Sequence, residues 1–197
     1  NQVYFHKVNM LTQNYLVRML ARARLLAIEG KLELSAPLHK MLLDEALDAR
    51  GYASLNDAHV RVSIPEWAEH ADEILSSYAM KMMSRRGFHK SLRIEALSIE
   101  MVEVVKDRIE EAVAEAGYDV ESEVIYARIS KRGYMPYAQG IMIEDGGDAS
   151  EHSALIRSLT QPHERALIFV PEPIRDDLEQ RVREWIKPSQ SSLVHFE

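Results

Sequence analysis

Two basic stretches contain the residue types best suited to binding an anion. Near the start of the chain, VYFHKV places an aromatic ring beside a histidine and a lysine, at Tyr4, His6 and Lys7. Further on, SRRGFHKSLRI contains no acid. Its cationic or titratable residues are Arg85, Arg86, His89, Lys90 and Arg93. Because Lys and Arg bind phosphates and a ring can lie against a sugar or base, both stretches indicate a nucleotide site.

A simpler interpretation of the same residues needs no ligand. Tyr4 would pack in the core, Lys7 would be a surface charge, and the segment from Arg85 to Arg93 would be a solvated turn. The residues alone favour this interpretation without excluding the first. In a chain with a formal net charge of -7 and a pI near 5.7, any anion site must be such a local cluster.

Composition narrows the classes of partner. The acidic balance predicts no specific nucleic-acid partner, since binding phosphate backbones needs a basic excess. The absence of cysteine excludes disulfides, thiolate zinc sites and a cysteine nucleophile. No apolar run approaches the roughly 20 residues of a membrane span. We therefore expect a cytoplasmic protein without a membrane partner.

Other chemistry-bearing patterns are weak. The chain contains no P-loop, dinucleotide-binding, nucleophile-elbow or HExxH motif, and no catalytic residue is predicted. EWAEHADE places Glu66, Glu69, His70 and Glu73 one helical turn apart, but a helical Glu-x-x-His metal site needs a second such motif, which is missing. The DGGD segment, residues 145–148, is predicted to be a hairpin turn. No metal ligand is therefore predicted.

Helical periodicity dominates the first part of the chain, and these elements must position the basic stretches. The first amphipathic helix carries its apolar stripe at Leu11, Tyr15, Met19, Ala23 and Leu26. The helical pattern already includes Tyr4, and Asn1 is the only candidate N-cap before it. Cap and terminator residues predict further helices from Ser35 to Gly51, from Ser63 to Gly87 and from Ser98 to Gly117.

After Gly117 the pattern changes to short apolar runs separated by turn residues, which predicts strands. The runs cover residues 123–129, 140–144, 153–159 and 165–171. A last helix begins after Pro173. The predicted fold class is α+β, mainly α, with a helical region followed by a small antiparallel sheet and a terminal helix. The predicted divisions are a helical part at 1–117, a sheet-and-helix lobe at 118–188 and a flexible tail at 189–197.

Three short elements in order resemble HD-domain deoxynucleoside triphosphate triphosphohydrolases. VYFHKV and the helix after it are similar to that family's YxHK helix. LNDAHV, residues 55–60, resembles its L-x-D element, and RRGFHK, residues 85–90, resembles its R-x-x-x-K turn and strand.

The resemblance implies roles for the matching residues. Tyr4 would line the substrate pocket against the deoxyribose. His6 and Lys7 would contact an activating nucleotide between subunits, and Arg86 and Lys90 would bind its phosphates. Deoxynucleoside triphosphates are the implied partners, and a homo-oligomer is the implied assembly.

One departure from the family limits what this chain can do alone. The family's chemistry rests on an H…HD…D set that holds a divalent metal (Fe, Mn, Mg or Zn), and these residues contain no His-Asp dipeptide. We therefore expect the C-terminal half of an enzyme that releases triphosphate and a deoxynucleoside, inactive by itself and binding no metal in this segment. The alternatives are a non-catalytic nucleotide- or partner-binding module, or a plain interaction domain with an incidental basic patch.

Overall fold

The computed structural model describes residues 6–43, 48–94, 97–131, 133–137, 140–144, 146–160 and 163–186. Its first helices are α1 (Lys7–Ile28), α2 (Ala36–Leu43), α3 (Ala49–Ser54), α4 (Asp57–Ala68) and α5 (Glu73–Ser84). The middle elements are strand β1 (Lys90–Ser91), helices α6 (Ile99–Glu115) and α7 (Val120–Glu123), and strand β2 (Ile125–Lys131). The last elements are α8 (Ala149–His152), α9 (Ala154–Leu159), strand β3 (His163–Val170), a short 3-10 turn (Glu172–Ile174) and α10 (Arg175–Trp185).

The predicted fold class is confirmed: the chain is mainly helical, with a small three-stranded antiparallel sheet and a terminal helix. The strand order is β1-β3-β2, so β3 is the central strand. Packing divides the chain into two units, one up to Lys90 together with residues 121–125, the other formed by residues 91–120 and the chain from Tyr126 onward. The division at residues 117 and 118 stays a prediction, and the tail at 189–197 lies outside the described residues.

Helix α1 buries the stripe that its sequence period predicts. Its buried residues are Leu11, Tyr15, Met19, Ala23 and Leu26. The helical start expected at Tyr4 lies outside the described residues, and the N-cap of α1 is His6, whose backbone is extended. Its ring Nδ1 accepts a hydrogen bond from the Val8 N–H at 3.3 Å. A histidine thus satisfies one of the free N–H groups of the first turn.

The helix predicted from Ser63 to Gly87 is two helices, α4 and α5, separated at residues 69–72. Asn56 caps α4, so Pro65 lies inside this helix and not at its start. Asp72 caps α5 by accepting from the Leu75 N–H at 2.9 Å. The same carboxylate pairs with the Arg22 guanidinium of α1 through two bonds, at 3.0 and 2.5 Å. The apolar stripe continues across the break, which is why periodicity alone misses it.

The run at residues 153–159 is helical, although its alternation predicts a strand. Asp148 caps α8, and Ser153 caps α9 by accepting from the Ile156 N–H. These side chains satisfy N–H groups that would otherwise need a neighbouring strand. The run at 140–144 forms an isolated antiparallel bridge, between Met142 and Asp148, and not a strand of the sheet.

The second unit packs α6 and α10 with the sheet strands. Helix α6 begins at its predicted cap Ser98. Its buried residues are Val102, Val105, Ile109, Ala112 and Val113. Arg93 belongs to this unit, where its N–H donates to Glu179 at 2.8 Å and its guanidinium contacts Asp176 at 3.3 Å. No helix within the described ranges is long and apolar enough to cross a membrane.

The double role of Asp72 generates a prediction about the first unit. We expect Asp72→Ala to lower the free energy of unfolding by about 2 kcal/mol, because it removes the cap of α5 and the pair with Arg22. Asp72→Asn keeps a capping oxygen and loses only the charge, so its cost should stay under about 1 kcal/mol. Urea unfolding of both variants measures the difference, and equal losses would show that the cap contributes nothing.

Candidate functional site

The basic segment, residues 85–90, connects α5 to β1. It turns sharply at two left-handed positions, Arg85 with φ 54° and Gly87 with φ 67°. Glycine adopts this backbone region without strain, and an arginine there is uncommon. The Arg86 N–H donates to the Ser84 hydroxyl at 3.2 Å. The turn leaves the side chains of Arg85, Arg86 and Lys90 exposed.

His89 is not part of the exposed cationic cluster, although its neighbours in sequence are. The residue is 3% exposed, and both ring nitrogens are engaged. Nδ1 lies 2.6 Å from the Tyr15 hydroxyl, and Nε2 lies 2.6 Å from a carboxylate oxygen of Glu123. The His89 backbone N–H also donates to the Tyr15 hydroxyl, at 2.9 Å. We call Tyr15, Lys81, His89 and Glu123 the His89 network.

A neutral ring with its proton on Nε2 gives every polar atom of these contacts a partner. The Tyr15 hydroxyl accepts from the His89 N–H, so its own proton is free to go to Nδ1. Nδ1 then accepts that proton, and Nε2–H donates to Glu123. Burial agrees with this arrangement, since it lowers the pKa of His89 even though the Glu123 bond opposes the change. The ring is therefore neutral at neutral pH, with its proton on Nε2.

Glu123 is the negative end of the His89 network. Burial alone would raise the pKa of its carboxyl, but the hydrogen bond from His89 and the charge of Lys81 outweigh burial and lower that pKa to about 2. The Lys81 ammonium lies 3.2 Å from the other carboxylate oxygen. A half-buried carboxylate with two such donors stays ionised. Its charge is balanced by Lys81, so the network carries no excess negative charge beneath the basic segment.

Helices α1 and α5 hold the backbone around Glu123. The Arg18 guanidinium donates to the carbonyls of Glu121 and Val124. The Tyr78 hydroxyl donates to the Ser122 carbonyl at 2.6 Å. These bonds occupy carbonyl groups at the end of the short helix α7, which its own turn leaves without partners. These hydrogen bonds fix the backbone from which the Glu123 side chain extends.

Aromatic packing surrounds the Tyr15 ring. The Phe88 ring meets it edge to face at a centroid distance of 5.3 Å. The Tyr78 ring lies at 5.5 Å and the His89 ring at 5.6 Å. Such tilted and edge-on geometries are the favourable ones for aromatic pairs. Tyr15 therefore holds residues 88 and 89 by ring contacts as well as by hydrogen bonds.

The residues predicted to bind nucleotide lie at two places in the first unit. His6 and Lys7 are exposed at the start of α1, and Arg86 and Lys90 are exposed on the basic segment. Tyr4 lies outside the described residues. Arg93 is separated from this group, because it pairs with acids of the second unit. The binding roles of these residues stay predictions.

The sequence interpretation missed Tyr15 and Glu123 as parts of the site. Tyr15 belongs to the predicted apolar stripe and is buried there, but its hydroxyl also bonds His89. Glu123 begins a predicted strand, whereas in the structure it ends α7. The partners His89 and Glu123 are 34 positions apart, so no local motif joins them.

The described residues also bear on metal binding. They contain no group of three or more His, Asp or Glu side chains that could hold a metal ion. The helical face with Glu66, Glu69 and Glu73 is exposed. His70 makes local bonds, with Nε2 at 3.1 Å from the Lys31 carbonyl and Nδ1 accepting from the Asp72 N–H.

Comparison with known proteins shows a shared fold. No protein-family model and no curated protein matches this chain. A crystallised phosphohydrolase from Bacteroides thetaiotaomicron is similar in structure, with a TM-score of 0.62 and 22% identity over 87% of this chain and 47% of that protein. A hypothetical protein from Aquifex aeolicus has a TM-score of 0.52 and 22% identity over 91% of this chain and 40% of its own. The chain thus spans less than half the length of these two proteins.

The neutral state of His89 predicts an acid-sensitive stability. Unfolded, this residue takes up a proton below pH 6.5, whereas burial lowers its pKa in the folded chain. The free energy of unfolding must therefore fall as the pH drops below that value. From about pH 7 to about pH 5, we expect the unmodified chain to lose about 1 kcal/mol more than His89→Gln.

Urea unfolding at a series of pH values measures this difference. Glu123 does not confuse the comparison, because its pKa changes from 4.5 to about 2 on folding. The stability that Glu123 contributes is present above pH 4.5 and is lost only as the pH falls toward about 2. The same pH slope for both proteins would contradict a neutral buried His89.

Proposed function

We propose that this chain supplies the nucleotide-binding part of an HD-type phosphohydrolase that converts deoxynucleoside triphosphates to deoxynucleoside and triphosphate. The observation that carries the proposal is the basic segment, in which exposed Arg86 and Lys90 flank the buried, hydrogen-bonded His89. Two features support it further: the fold shared with a phosphohydrolase, and the resemblance of residues 3–90 to the triphosphohydrolases.

The two cations of the basic segment suit a polyphosphate. Arg86 offers a planar fork that can bind two phosphate oxygens, and Lys90 offers a compact charge with three donors. They lie four positions apart on a segment with two left-handed positions. In a chain of net charge -7, such a local excess of cations is what an anion site requires.

The start of α1 supplies a second pair of cationic or titratable groups. Lys7 is the first residue of a 22-residue helix, whose N-terminus carries a partial positive charge. By helical rise, Lys7 lies about 12 Å along the axis from Tyr15, the residue that contacts the basic segment. We propose that His6 and Lys7 contact a regulatory nucleotide in a homo-oligomer, and that Tyr4 lines the substrate pocket.

A non-catalytic nucleotide-binding module is the second candidate. It is favoured by the lack, within the described ranges, of any group of metal-ligating side chains. The gene sequence ahead of Asn1 distinguishes the two. An H…HD…D pattern fused in frame supports the hydrolase, and an initiator methionine adjacent to Asn1 with no such pattern overturns it in favour of the module.

The binding role of the basic segment is tested by removing its two cations. We expect Arg86→Ala with Lys90→Ala to weaken deoxynucleoside triphosphate binding at least about a hundredfold, since two charge-assisted bonds are lost. Calorimetric titration of the chain measures the affinity. Lys40→Ala with Arg61→Ala is the matched control, because it removes the same charge from exposed sites elsewhere in the first unit. Equal affinity in both double variants would overturn the proposal.

A further inference from the structure

The Tyr15 hydroxyl binds one residue of the basic segment in two ways. It contacts ring Nδ1 of His89 at 2.6 Å and accepts from the backbone N–H of the same residue at 2.9 Å. Glu123 holds the opposite side of the ring at 2.6 Å. With its ring anchored on both sides and its backbone tied to the same hydroxyl, His89 has a fixed position and a fixed direction.

We propose that Tyr15, His89 and Glu123 are positioning residues for the basic segment: they hold its backbone in the conformation that presents Arg86 and Lys90 to a polyphosphate. This inference rests on the proposed phosphate-binding role of those two cations. The three residues act from beneath the segment through His89, and the phosphate contacts themselves come from Arg86 and Lys90.

The adjacency of His89 and Lys90 lets a buried histidine position an exposed lysine. His89 is 3% exposed, and Lys90, which follows it directly and begins β1, is exposed. With His89 held inward by three hydrogen bonds, the backbone from which Lys90 extends is held as well. Arg86 is fixed from the other end, because its N–H donates to the Ser84 hydroxyl at the end of α5.

Affinity depends on such preorganisation. Long side chains on a mobile segment lose conformational freedom when they bind, and this loss subtracts from the affinity. A segment already held in place loses less. The charged and titratable groups around His89 also leave no net negative charge below the cations, because Arg18 and Lys81 outnumber one carboxylate: the groups are Tyr15 and Arg18 from α1, Lys81 from α5, and Glu123 from α7.

Two tyrosine variants test the inference with a matched pair. Tyr15→Phe removes the hydroxyl that holds His89 and keeps the ring. Tyr134→Phe, in the second unit, removes a hydroxyl that likewise donates once, to Asp148, and accepts once, from the Ile141 N–H. In calorimetric titrations with inorganic triphosphate, we expect Tyr15→Phe to bind about tenfold more weakly and Tyr134→Phe to stay within about twofold of the unmodified chain.

Amide NMR spectra of the unliganded chains give a readout that does not depend on the ligand. We expect Tyr15→Phe to shift the amide signals of residues 86–90 and to speed hydrogen exchange at His89, and Tyr134→Phe to leave them in place. Unchanged signals in Tyr15→Phe would overturn the inference. Thermal unfolding of both variants measures how much stability each one loses. If a general weakening of the fold caused the loss of affinity, two variants with similar losses of stability would show similar affinities.

A second pair of variants removes the acceptor at the other side of the ring. Glu123→Ala and Glu123→Gln carry the same charge, but only glutamine keeps an oxygen for Nε2–H. We expect Glu123→Gln to bind inorganic triphosphate at least about fivefold more tightly than Glu123→Ala. Equal affinities would show that the bond to His89 does not position the segment.

The outcomes separate this inference from the proposed function. If Arg86→Ala with Lys90→Ala loses triphosphate binding while Tyr15→Phe keeps it, the phosphate site stands and the positioning role is overturned. If the double variant binds triphosphate as tightly as the unmodified chain does, the proposed function is overturned. The same holds if neither the double variant nor the unmodified chain binds triphosphate. The amide signals of residues 86–90 in Tyr15→Phe then decide alone whether the three residues position the segment.

Discussion

The need to pair every polar atom of a buried histidine determines the arrangement of the first unit. His89 lies among aromatic rings, where an unpaired ring nitrogen or backbone N–H would cost on the order of 1 to 3 kcal/mol. Tyr15 from α1 and Glu123 from α7 supply the partners. Helix α5 contributes Lys81, which balances the carboxylate. Three helices distant in sequence must therefore meet at one point, and the basic segment is carried to that point by His89 itself.

The same arrangement resolves an electrostatic conflict. An acidic chain that binds an anion must keep its carboxylates from opposing the ligand. Glu123 is ionised close to the basic segment, but it accepts from the His89 ring and pairs with Lys81, so its charge is used inside the unit. Arg93 illustrates how nearby acids remove a cation from such a site. It is a cation of the same sequence stretch, yet Glu179 and Asp176 of the second unit take its donors.

Local signals predicted the long elements and missed the contacts between distant residues. The stripe of α1 and the cap of α6 were readable because period and cap lie within one element. The break before α5 was not readable, because the apolar stripe continues across it while Asp72 caps a new helix and pairs with Arg22. At the site, the spacing of Arg86 and Lys90 was visible. The burial of His89 between them was not, because it depends on Tyr15 and Glu123, which no local pattern relates to that segment.

A shared fold does not by itself transfer an activity, since one fold supports many unrelated chemistries. At 22% identity, the likeness to the Bacteroides phosphohydrolase shows how the chain folds. The functional argument must therefore rest on the side chains. Arg86 and Lys90 are exposed residues with long side chains, and their spacing alone would not distinguish a binding site from a surface turn. What distinguishes them is the buried residue between them, whose ring and backbone are held by the same tyrosine hydroxyl. A solvated turn has no need of such an anchor, whereas a site that must meet a polyphosphate with two cations at once does.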